Sequence, residues 1–310
     1  MSSPARPRHG SSTVKVAVFG VPSAAGARVA GAERAPFVLR EAGLLDALRA
    51  TGARVVNLSD LSLFPFRDDP GHPTARNAEV VACALRATAD EMTRALREGF
   101  TIVLGGDCTL VVGALAGARA ALERPVGVVY IDANADLNTP QTTPSGFLSG
   151  MALSLALGRG PDELVAPMGA APVLQPDHVA LLGFRALDPG ERDSIGDLGL
   201  ALPVIAARRI GMRVAAALAL DAIANEDGPM LVHLDVDAID YAEMPVKDPI
   251  DGVGLTIAEV SDLLTALVAS PRVVGVHIAE FNPARDPEGI HARKVIALLV
   301  RAVSRRVRPA

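Results

Sequence analysis

Two aspartates and an asparagine follow an apolar segment near the middle of the chain. The stretch is YIDANADLNTP, residues 130–140, in which Asp132 and Asp136 flank Asn134. Carboxylates placed together at the end of a strand are typical ligands of a divalent cation. A site of this shape normally carries a histidine at the middle position. The stretch therefore predicts a metal site with an unusual residue where a nitrogen ligand is expected.

Three further segments end in polar residues that apolar packing does not explain. VLGGDCTL supplies Asp107 and Cys108, VHLDVDAID supplies Asp235 and Asp237, and HIAEFNP supplies Glu280. One acidic residue after a strand is usually a helix cap or a turn former. Several carboxylates converging on one edge would instead repel one another and resist ionisation, and divalent cations remove that conflict. Oxygen ligands favour Mg²⁺ or Mn²⁺, while a thiolate or imidazole favours transition metals.

The elements that must position these residues are apolar segments alternating with helical patterns. The segments are nearly continuous in apolar residues, which is typical of strands buried on both faces of a parallel sheet. Eight strand–helix units allow a closed barrel or an open three-layer sandwich, and both place ligands at the carboxyl ends of the strands. The predicted strands begin near residues 14, 53, 100, 126, 178, 202, 229 and 272.

Two helices are predicted with particular clarity. APFVLREAGLLDALRATG has a proline in its first turn and a glycine after its end, and ARNAEVVACALRATADEMTRALREG has an apolar period of 3.6 residues. Cys83 lies in the middle of the second helix and is interpreted as a small core residue.

Composition excludes several classes of partner. The net charge of −5 and the aromatic content of 3% give no case for nucleic acid or an anionic membrane as the main partner. The two cysteines make a disulfide framework improbable and are typical of a reducing cytoplasm. No apolar segment has membrane-spanning length. Residues 1–13 are interpreted as a disordered tail, and residues 14–310 as one catalytic domain.

Other motifs are weaker. GVPSAAGARVAG fits neither nucleotide-phosphate pattern, and PSGFLSG lacks the spacing of a serine hydrolase nucleophile. By contrast, GGDCTL, DANADLNTPQTTPSGFLSG, DPGER, LDVDAID and EFNP resemble, in order, motifs of the arginase and agmatinase (ureohydrolase) superfamily. The resemblance covers the chain from about Val14 to the last helix. It implies an open three-layer α/β/α sandwich with a parallel sheet of about eight strands.

The resemblance also implies a chemistry. Members of the superfamily hold two Mn²⁺ ions that share a hydroxide, which attacks a guanidinium carbon to release a urea. Zn²⁺, Co²⁺ or Fe²⁺ in place of manganese stays open. Glu280 matches the residue that pairs with the guanidinium group. The implied metal ligands are Cys108, Asp132, Asn134, Asp136, Asp235 and Asp237, with Asp132 and Asp235 bridging the two ions, Asp136 completing the first metal and Asp237 the second.

The loop LNTPQTTPSG resembles the arginase branch. Asn138 and Ser145 match positions that hold an α-carboxylate, while Asp188 and Glu191 match positions that receive an α-amino group, directly or through water. The expected substrate is therefore an amino acid with a guanidino-type side chain. A decarboxylated substrate would leave those groups unpaired, at a cost of about 1–3 kcal/mol each.

Four residues depart from the arginase pattern. Cys108 and Asn134 replace histidine ligands, Ser149 replaces the proton-shuttle histidine, and Phe147 replaces an asparagine near the α-carboxylate. Cys108 can still bind as a thiolate. The carbonyl oxygen of Asn134 is a weaker ligand than imidazole, so the second metal is expected to bind loosely. His233 is interpreted as an oriented hydrogen-bond partner, with a helping ligand as the alternative.

Ser149 bears most on the reaction, and with Glu280 it is a candidate catalytic residue. Arginine needs proton transfer to its leaving amine, whereas a hydroxyguanidine is more acidic and easier to attack. The sequence therefore favours hydrolysis of Nω-hydroxy-L-arginine to hydroxyurea and ornithine, as in an N-hydroxyarginine hydrolase of antibiotic synthesis. The alternatives are an ordinary arginase, another ureohydrolase such as a guanidinobutyrate type, and a non-catalytic arginase-like binding protein. Monomer and homo-oligomer both stay open.

Overall fold

One parallel sheet runs through the protein. The computed structural model describes residues 13–166, 172–223 and 227–308, so nearly all of the predicted tail lies outside the described residues. Within the described residues the strands follow the order β2-β1-β3-β8-β7-β4-β5-β6. They are β1 (Lys15–Gly20), β2 (Arg54–Asn57), β3 (Phe100–Leu104), β4 (Gly127–Ile131), β5 (Val179–Leu182), β6 (Leu200–Leu202), β7 (Met230–Asp235) and β8 (Val273–Ala279).

Helices cover both faces of this sheet, because successive strand residues point to opposite sides. On β1, Val16 and Val18 join one buried cluster, whereas Ala17 and Phe19 join the other. The first cluster packs α1 (Ala35–Glu41), α2 (Leu44–Ala50), α7 (Val204–Ile210), α8 (Met212–Ala222), α9 (Ile257–Ala269) and α10 (Ile290–Val307). The second packs α3 (Ala78–Glu98), α4 (Leu110–Leu122), α5 (Ala152–Ala156) and α6 (Asp162–Val165). The predicted open three-layer sandwich is confirmed.

Short 3-10 helices connect several of these elements. They cover Ala32–Arg34, Leu148–Met151, Pro176–His178, Ile195–Asp197, Val236–Ala238 and Pro283–Arg285. Within the described part of the chain, no helix is both long enough and apolar enough to cross a membrane.

Three details of the predicted elements are wrong. The segment LPVIAA, read as a strand, contributes only its first residue to β6, because Pro203 caps α7. The first predicted helix is divided into α1 and α2 by Gly43, whose φ of 93° lies in the left-handed region. Cys83 is exposed rather than a core residue.

The sheet order explains how distant segments reach one site. Strands β3, β8, β7 and β4 are consecutive neighbours in the sheet. These are the four strands whose carboxyl ends carry the polar residues singled out in the sequence. Because all the strands run in parallel, those ends meet at one edge, where ligands bind in open α/β sheets.

Candidate active site

A cavity of about 300 Å³ opens at the carboxyl ends of the central strands. Every residue that the sequence analysis assigned to the site lines this cavity. Its lining includes Cys108, Asp132, Asn134, Asp136, Asn138, Ser145, Ser149, Asp188, Glu191, Asp235, Asp237 and Glu280.

The segment after β3 is held by close backbone packing. A Cβ atom on Gly106 would overlap the carbonyl oxygen of Ser23, so a side chain is excluded there. The Asp107 carboxylate accepts hydrogen bonds from Ser23 Oγ at 3.0 Å and from the backbone N–H groups of Gly26 and Thr109 at 3.2 and 3.1 Å. Asp107 therefore fixes the turn that presents Cys108, in agreement with the turn-forming role of an isolated strand-end aspartate.

The acidic residues are oriented by their own backbones. Asn134 N donates to Asp132 Oδ1 at 2.7 Å, and Asp237 N donates to Asp235 Oδ1 at 2.7 Å. Asp136 has a φ of 51° and accepts a hydrogen bond from the Tyr130 hydroxyl. These local bonds leave the second oxygen of Asp132 and of Asp235 directed toward the middle of the site.

Glu280 lies beside this group in a strained conformation. Its φ of 63° is uncommon for a residue with a side chain, and its N–H donates to Gly106 O at 2.7 Å. Such strain persists where surrounding contacts over-determine the backbone, and it is found at functional sites.

The buried atoms around Asp132 have the chemistry of a cation site. Three overlapping groups of possible ligands each lie within 4.8 Å: Cys108, Asp132 and His233; Cys108, Asp235 and Glu280; and Asp132, Asp235 and Asp237. Asp132 Oδ2, His233 Nε2 and Glu280 Oε1 are buried without a hydrogen-bond partner. Buried polar atoms are normally paired, so these atoms fit a bound cation or substrate.

The ionised forms of the buried carboxylates and of Cys108 are unfavourable unless a positive charge lies nearby. Burial, followed by the charge of neighbouring carboxylates, raises the pKa values of Asp132, Asp235 and Cys108 well above their usual range. Burial also raises the pKa of Asp136 to about 8. Cys108 Sγ lies 3.1 Å from Asp235 Oδ2. A cation would stabilise the ionised forms of all four groups.

One positive charge is already present and was not found by sequence reasoning. Lys247 Nζ lies 2.6 Å from Asp237 Oδ2, 3.1 Å from Asp235 Oδ2 and 3.6 Å from Glu280 Oε2. Burial alone would lower the pKa of Lys247, but these carboxylates raise it well above its ordinary value. The one sequence signal is that lysine is rare, since the others are Lys15 and Lys294.

Two buried histidines lie within the sheet, just before the strand ends that carry the carboxylates. His233 and His277, paired in register on β7 and β8, have their Nδ1 atoms 2.9 Å apart. The His233 ring stacks on Tyr130 with centroids 4.1 Å apart, and its Nε2 lies 3.9 Å from Asp132 Oδ2. Burial lowers the pKa of His277 to about 3 and the pKa of His233 well below its usual value, so both imidazoles are neutral near pH 7. Sequence reasoning missed His277, which lies three positions before Glu280, whereas His233 lies two positions before Asp235.

The residues matched to an amino-acid clamp also lie together. Asn138 Nδ2 donates to Asp188 Oδ2 at 2.8 Å. Glu191 is buried, and its two carboxylate oxygens accept hydrogen bonds from Leu137 N at 2.9 Å and Asp188 N at 2.8 Å. Glu191 therefore ties the loop after β4 to the loop after β5.

Ser145, Phe147 and Ser149 complete the other wall. Arg76 stacks over the Phe147 ring at 4.8 Å and donates from Nε to the carbonyl oxygen of Ser145 at 3.1 Å. Ser149 N donates to Gly26 O at 2.9 Å, which fixes the backbone at the position that the resemblance matches to a proton shuttle.

Known proteins share this fold over nearly the whole chain. The arginase family model matches residues 14–304. The chain belongs to the arginase family. An arginase of Bacillus caldovelox is 30% identical over 289 residues, covering 92% of this chain and 96% of that protein. An arginase of Brucella melitensis biotype 1 is 32% identical over 298 residues, covering 94% and 96%. The crystal structure of arginase from Bacillus cereus superposes with a TM-score of 0.84 at 29% identity, covering 94% of this chain and 98% of that chain.

Membership of the arginase family confirms the predicted kind of enzyme, a metal-dependent ureohydrolase acting on guanidino compounds. The buried carboxylates and Cys108 fit one divalent cation. They do not fit a second cation equally well, because Asn134 offers a weak amide ligand and the Lys247 ammonium contacts Asp235 and Asp237.

Proposed function

We propose that this arginase-family chain hydrolyses a guanidino amino acid, with Nω-hydroxy-L-arginine as the preferred substrate and hydroxyurea and ornithine as products. The observation that carries the proposal is the composition of one cavity. It contains the carboxylate cluster, the polar residues suited to an α-amino acid, and Ser149 where a proton shuttle would stand. Residues 14–310 would act as one catalytic domain in a reducing cytoplasm, which keeps Cys108 available as a thiol.

The clamp selects an amino acid over a decarboxylated amine. Asp188 supplies a negative charge for the α-amino group, while Asn138 and Ser145 supply polar atoms for the α-carboxylate. Glu191 holds Asp188 in place because its carboxylate accepts a hydrogen bond from the backbone N–H of Asp188. A substrate that lacks the carboxylate forgoes the hydrogen bonds that the Asn138 amide and the half-buried Ser145 hydroxyl would give it, and hydrogen bonds to charged groups are worth about 1.5–3 kcal/mol each.

Glu280 orients the reacting group. Its Oε1 is buried without a partner, while Oε2 faces Lys247 at 3.6 Å. The free oxygen suits an N–H of a guanidinium or hydroxyguanidine, because ionised acceptors form the stronger hydrogen bonds.

Ser149 decides between the two guanidino amino acids. Serine is a poor proton carrier near neutral pH, whereas general acid–base help is worth about 10²- to 10⁴-fold. With serine at this position, the leaving amine of arginine receives no proton from a general acid. A hydroxyguanidine has an accessible neutral form, so it depends less on a shuttle.

Cys108, Asp132 and Asp235 would hold the divalent cation, with Asp136 beside them. When bound, such a cation acts as a Lewis acid and makes water nucleophilic near neutral pH. We assign manganese, because carboxylate-rich sites favour Mg²⁺ or Mn²⁺ and a thiolate favours transition metals.

The test is a steady-state assay of the Mn²⁺-loaded chain on arginine, Nω-hydroxy-L-arginine and agmatine, with ornithine or putrescine, urea and hydroxyurea measured separately. The expected kcat/KM is at least about 10²-fold higher for hydroxyarginine than for arginine, and lowest for agmatine. A Glu280→Ala preparation purified in parallel controls for contaminating arginase. Equal or faster turnover of arginine would overturn the substrate assignment. No product from any substrate would overturn catalysis and leave a binding protein.

A further inference from the structure

The Lys247 side chain lies within the acidic cluster rather than at its margin. Its ammonium contacts carboxylates delivered by two neighbouring strands, Asp235 and Asp237 after β7 and Glu280 after β8. With carboxylate oxygens at 2.6 to 3.6 Å, the ammonium supplies positive charge to the same carboxylates whose charge a metal ion would otherwise balance.

The loop around Lys247 fixes this position. Val246 is completely buried, and its N–H donates to Met244 O at 2.9 Å. Met244 N in turn donates to Asp240 O at 3.0 Å. On the other side, Asp248 pairs with Arg285 at 2.6 Å. The backbone is therefore held on both sides of Lys247, which directs the side chain into the cavity.

The oxygen atoms of the cluster fall into two sets. Asp237 Oδ2 accepts from Lys247, and Asp237 Oδ1 faces Ala133 N at 3.4 Å. Asp132 Oδ2 and Glu280 Oε1 have no partner. Both oxygen atoms of Asp237 thus already have a polar partner, while an oxygen atom of Asp132, on the Cys108 side of the cluster, has none.

We propose that the ammonium of Lys247 takes the place of one of two metal ions, so that the chain holds a single divalent cation on the Cys108–Asp132 side. The proposal rests on the proposed function only in that the site binds a divalent cation. A second cation near Asp237 would lie close to the fixed ammonium and would be repelled. Asn134, which lines the same cavity and which the resemblance counts among the metal ligands, supplies at most an amide oxygen. The two residues act together, because Asn134 offers no strong metal ligand and Lys247 supplies the charge that the metal would have provided.

The first measurement is the Mn²⁺ content of the wild-type chain, loaded by dialysis, desalted and measured by elemental mass spectrometry. The expected content is one ion per chain. Electron paramagnetic resonance should show the six-line signal of an isolated Mn²⁺ ion and no spin-coupled pair. These readouts do not depend on turnover.

The second measurement uses the variants Lys247→Met and Lys247→Met/Asn134→His. Methionine keeps much of the length of lysine but removes its charge, and histidine restores a nitrogen ligand. The double variant is expected to hold two ions per chain and to give a spin-coupled signal. Lys15→Met is the matched control, because Lys15 begins β1 at the opposite edge of the sheet. It should keep one ion.

A thermal-stability measurement keeps the test decisive if the variants fold poorly. Without metal, Lys247→Met should melt below the wild type, because three carboxylates lose their cation. Added Mn²⁺ should raise its melting temperature by more than it raises that of the wild type. An equal shift in both chains would contradict the proposal.

The remaining outcomes separate the two proposals. Two ions per wild-type chain would overturn the role of Lys247 and leave the proposed hydrolysis intact. One ion in the double variant would also overturn it, since another feature would then exclude the second cation. No ion in the wild type would overturn both this proposal and the metal-dependent function.

Discussion

Asn138 Nδ2 donates a hydrogen bond to Asp188 Oδ2 at 2.8 Å, which joins the loop after β4 to the loop after β5. Asn138 Oδ1 accepts from Thr142 Oγ1 at 3.1 Å. The residue proposed for the α-carboxylate is thus bonded to the residue proposed for the α-amino group before any substrate binds. Such pre-organisation lowers the entropy that binding must overcome.

Replacement of Asp188 by asparagine should weaken the binding of amino-acid substrates. The substitution keeps the size of the side chain but removes the negative charge that we propose faces the α-amino group. We expect KM to rise by about tenfold or more with a small change in kcat, since hydrogen bonds to charged groups are worth about 1.5–3 kcal/mol. Steady-state kinetics on hydroxyarginine measure both constants.

The matched control is Asp193→Asn, because Asp193 is exposed in the same segment. It should leave KM unchanged. If Asp188→Asn lowered kcat and left KM unchanged, Asp188 would act in the reaction step and not in substrate binding.

The Ser149→His variant should gain activity on arginine. Histidine titrates near neutral pH and can deliver a proton to the leaving amine, whereas serine cannot. We expect kcat on arginine to rise by about 10²-fold and kcat on hydroxyarginine to change little.

Ser149→Gln provides the size-matched control, since glutamine hydrogen bonds but does not titrate in this range. If both variants raised arginine turnover equally, the gain would come from filling space in the cavity, and the missing proton shuttle would not explain the substrate preference.

The strands and the candidate site could be predicted because their signals are local. Continuous apolar segments predicted β1, β3, β4, β7 and β8, and polar residues that follow β3, β4, β7 and β8 line one cavity. LPVIAA was misassigned because a short apolar segment has no period that separates strand from helix, and Pro203 starts α7. Cys83 was misassigned because its helix buries one face only, and residue 83 lies on the other.

The contacts of Lys247 could not be predicted from its neighbours in the sequence. MPVKDP has the composition of a surface loop, and a charged residue there is normally solvated. The ion pairs arise because β7 and β8 are adjacent in the sheet, which depends on long-range strand order. The pairing of His233 with His277 has the same origin, since the two residues are in register on those strands.

Gly106→Ala should disturb both stability and the site. The added methyl group would overlap the carbonyl oxygen of Ser23, so the backbone must shift. Because Gly106 O accepts from Glu280 N at 2.7 Å, that shift would also displace Glu280. We expect a loss of about 3 kcal/mol in the free energy of unfolding and a large loss of kcat, measured by urea unfolding and by assay.

Gly196→Ala is the control for this change. Gly196 has no atom within 4 Å of an added Cβ, so its substitution should alter stability by less than about 0.5 kcal/mol. Wild-type stability for Gly106→Ala would mean that the segment after β3 can move without affecting the fold.

Glu259→Gln should change the acid dependence of stability. Arg208 on α7 donates to both Glu259 oxygens, from Nε at 2.7 Å and from Nη2 at 2.8 Å, and Glu259 also forms the capping box of α9 with Thr256. Glutamine keeps the amide oxygen needed for the cap but loses the charge. The Arg208 hydrogen bond is the main reason that the pKa of Glu259 lies below its usual value.

The sign of the effect follows from that direction. A carboxyl group with a lowered folded-state pKa contributes its full stability above the unfolded-state pKa of about 4.3. It loses that contribution as the pH falls through the folded-state pKa. Urea unfolding should therefore show the wild type about 0.5 kcal/mol more stable than Glu259→Gln at pH 7, with the difference shrinking toward about pH 3. Glu163→Gln, an exposed position in α6, should show no such dependence. A difference between wild type and Glu259→Gln that is constant from pH 7 to about pH 3 would assign the effect to the helix cap and not to the ion pair.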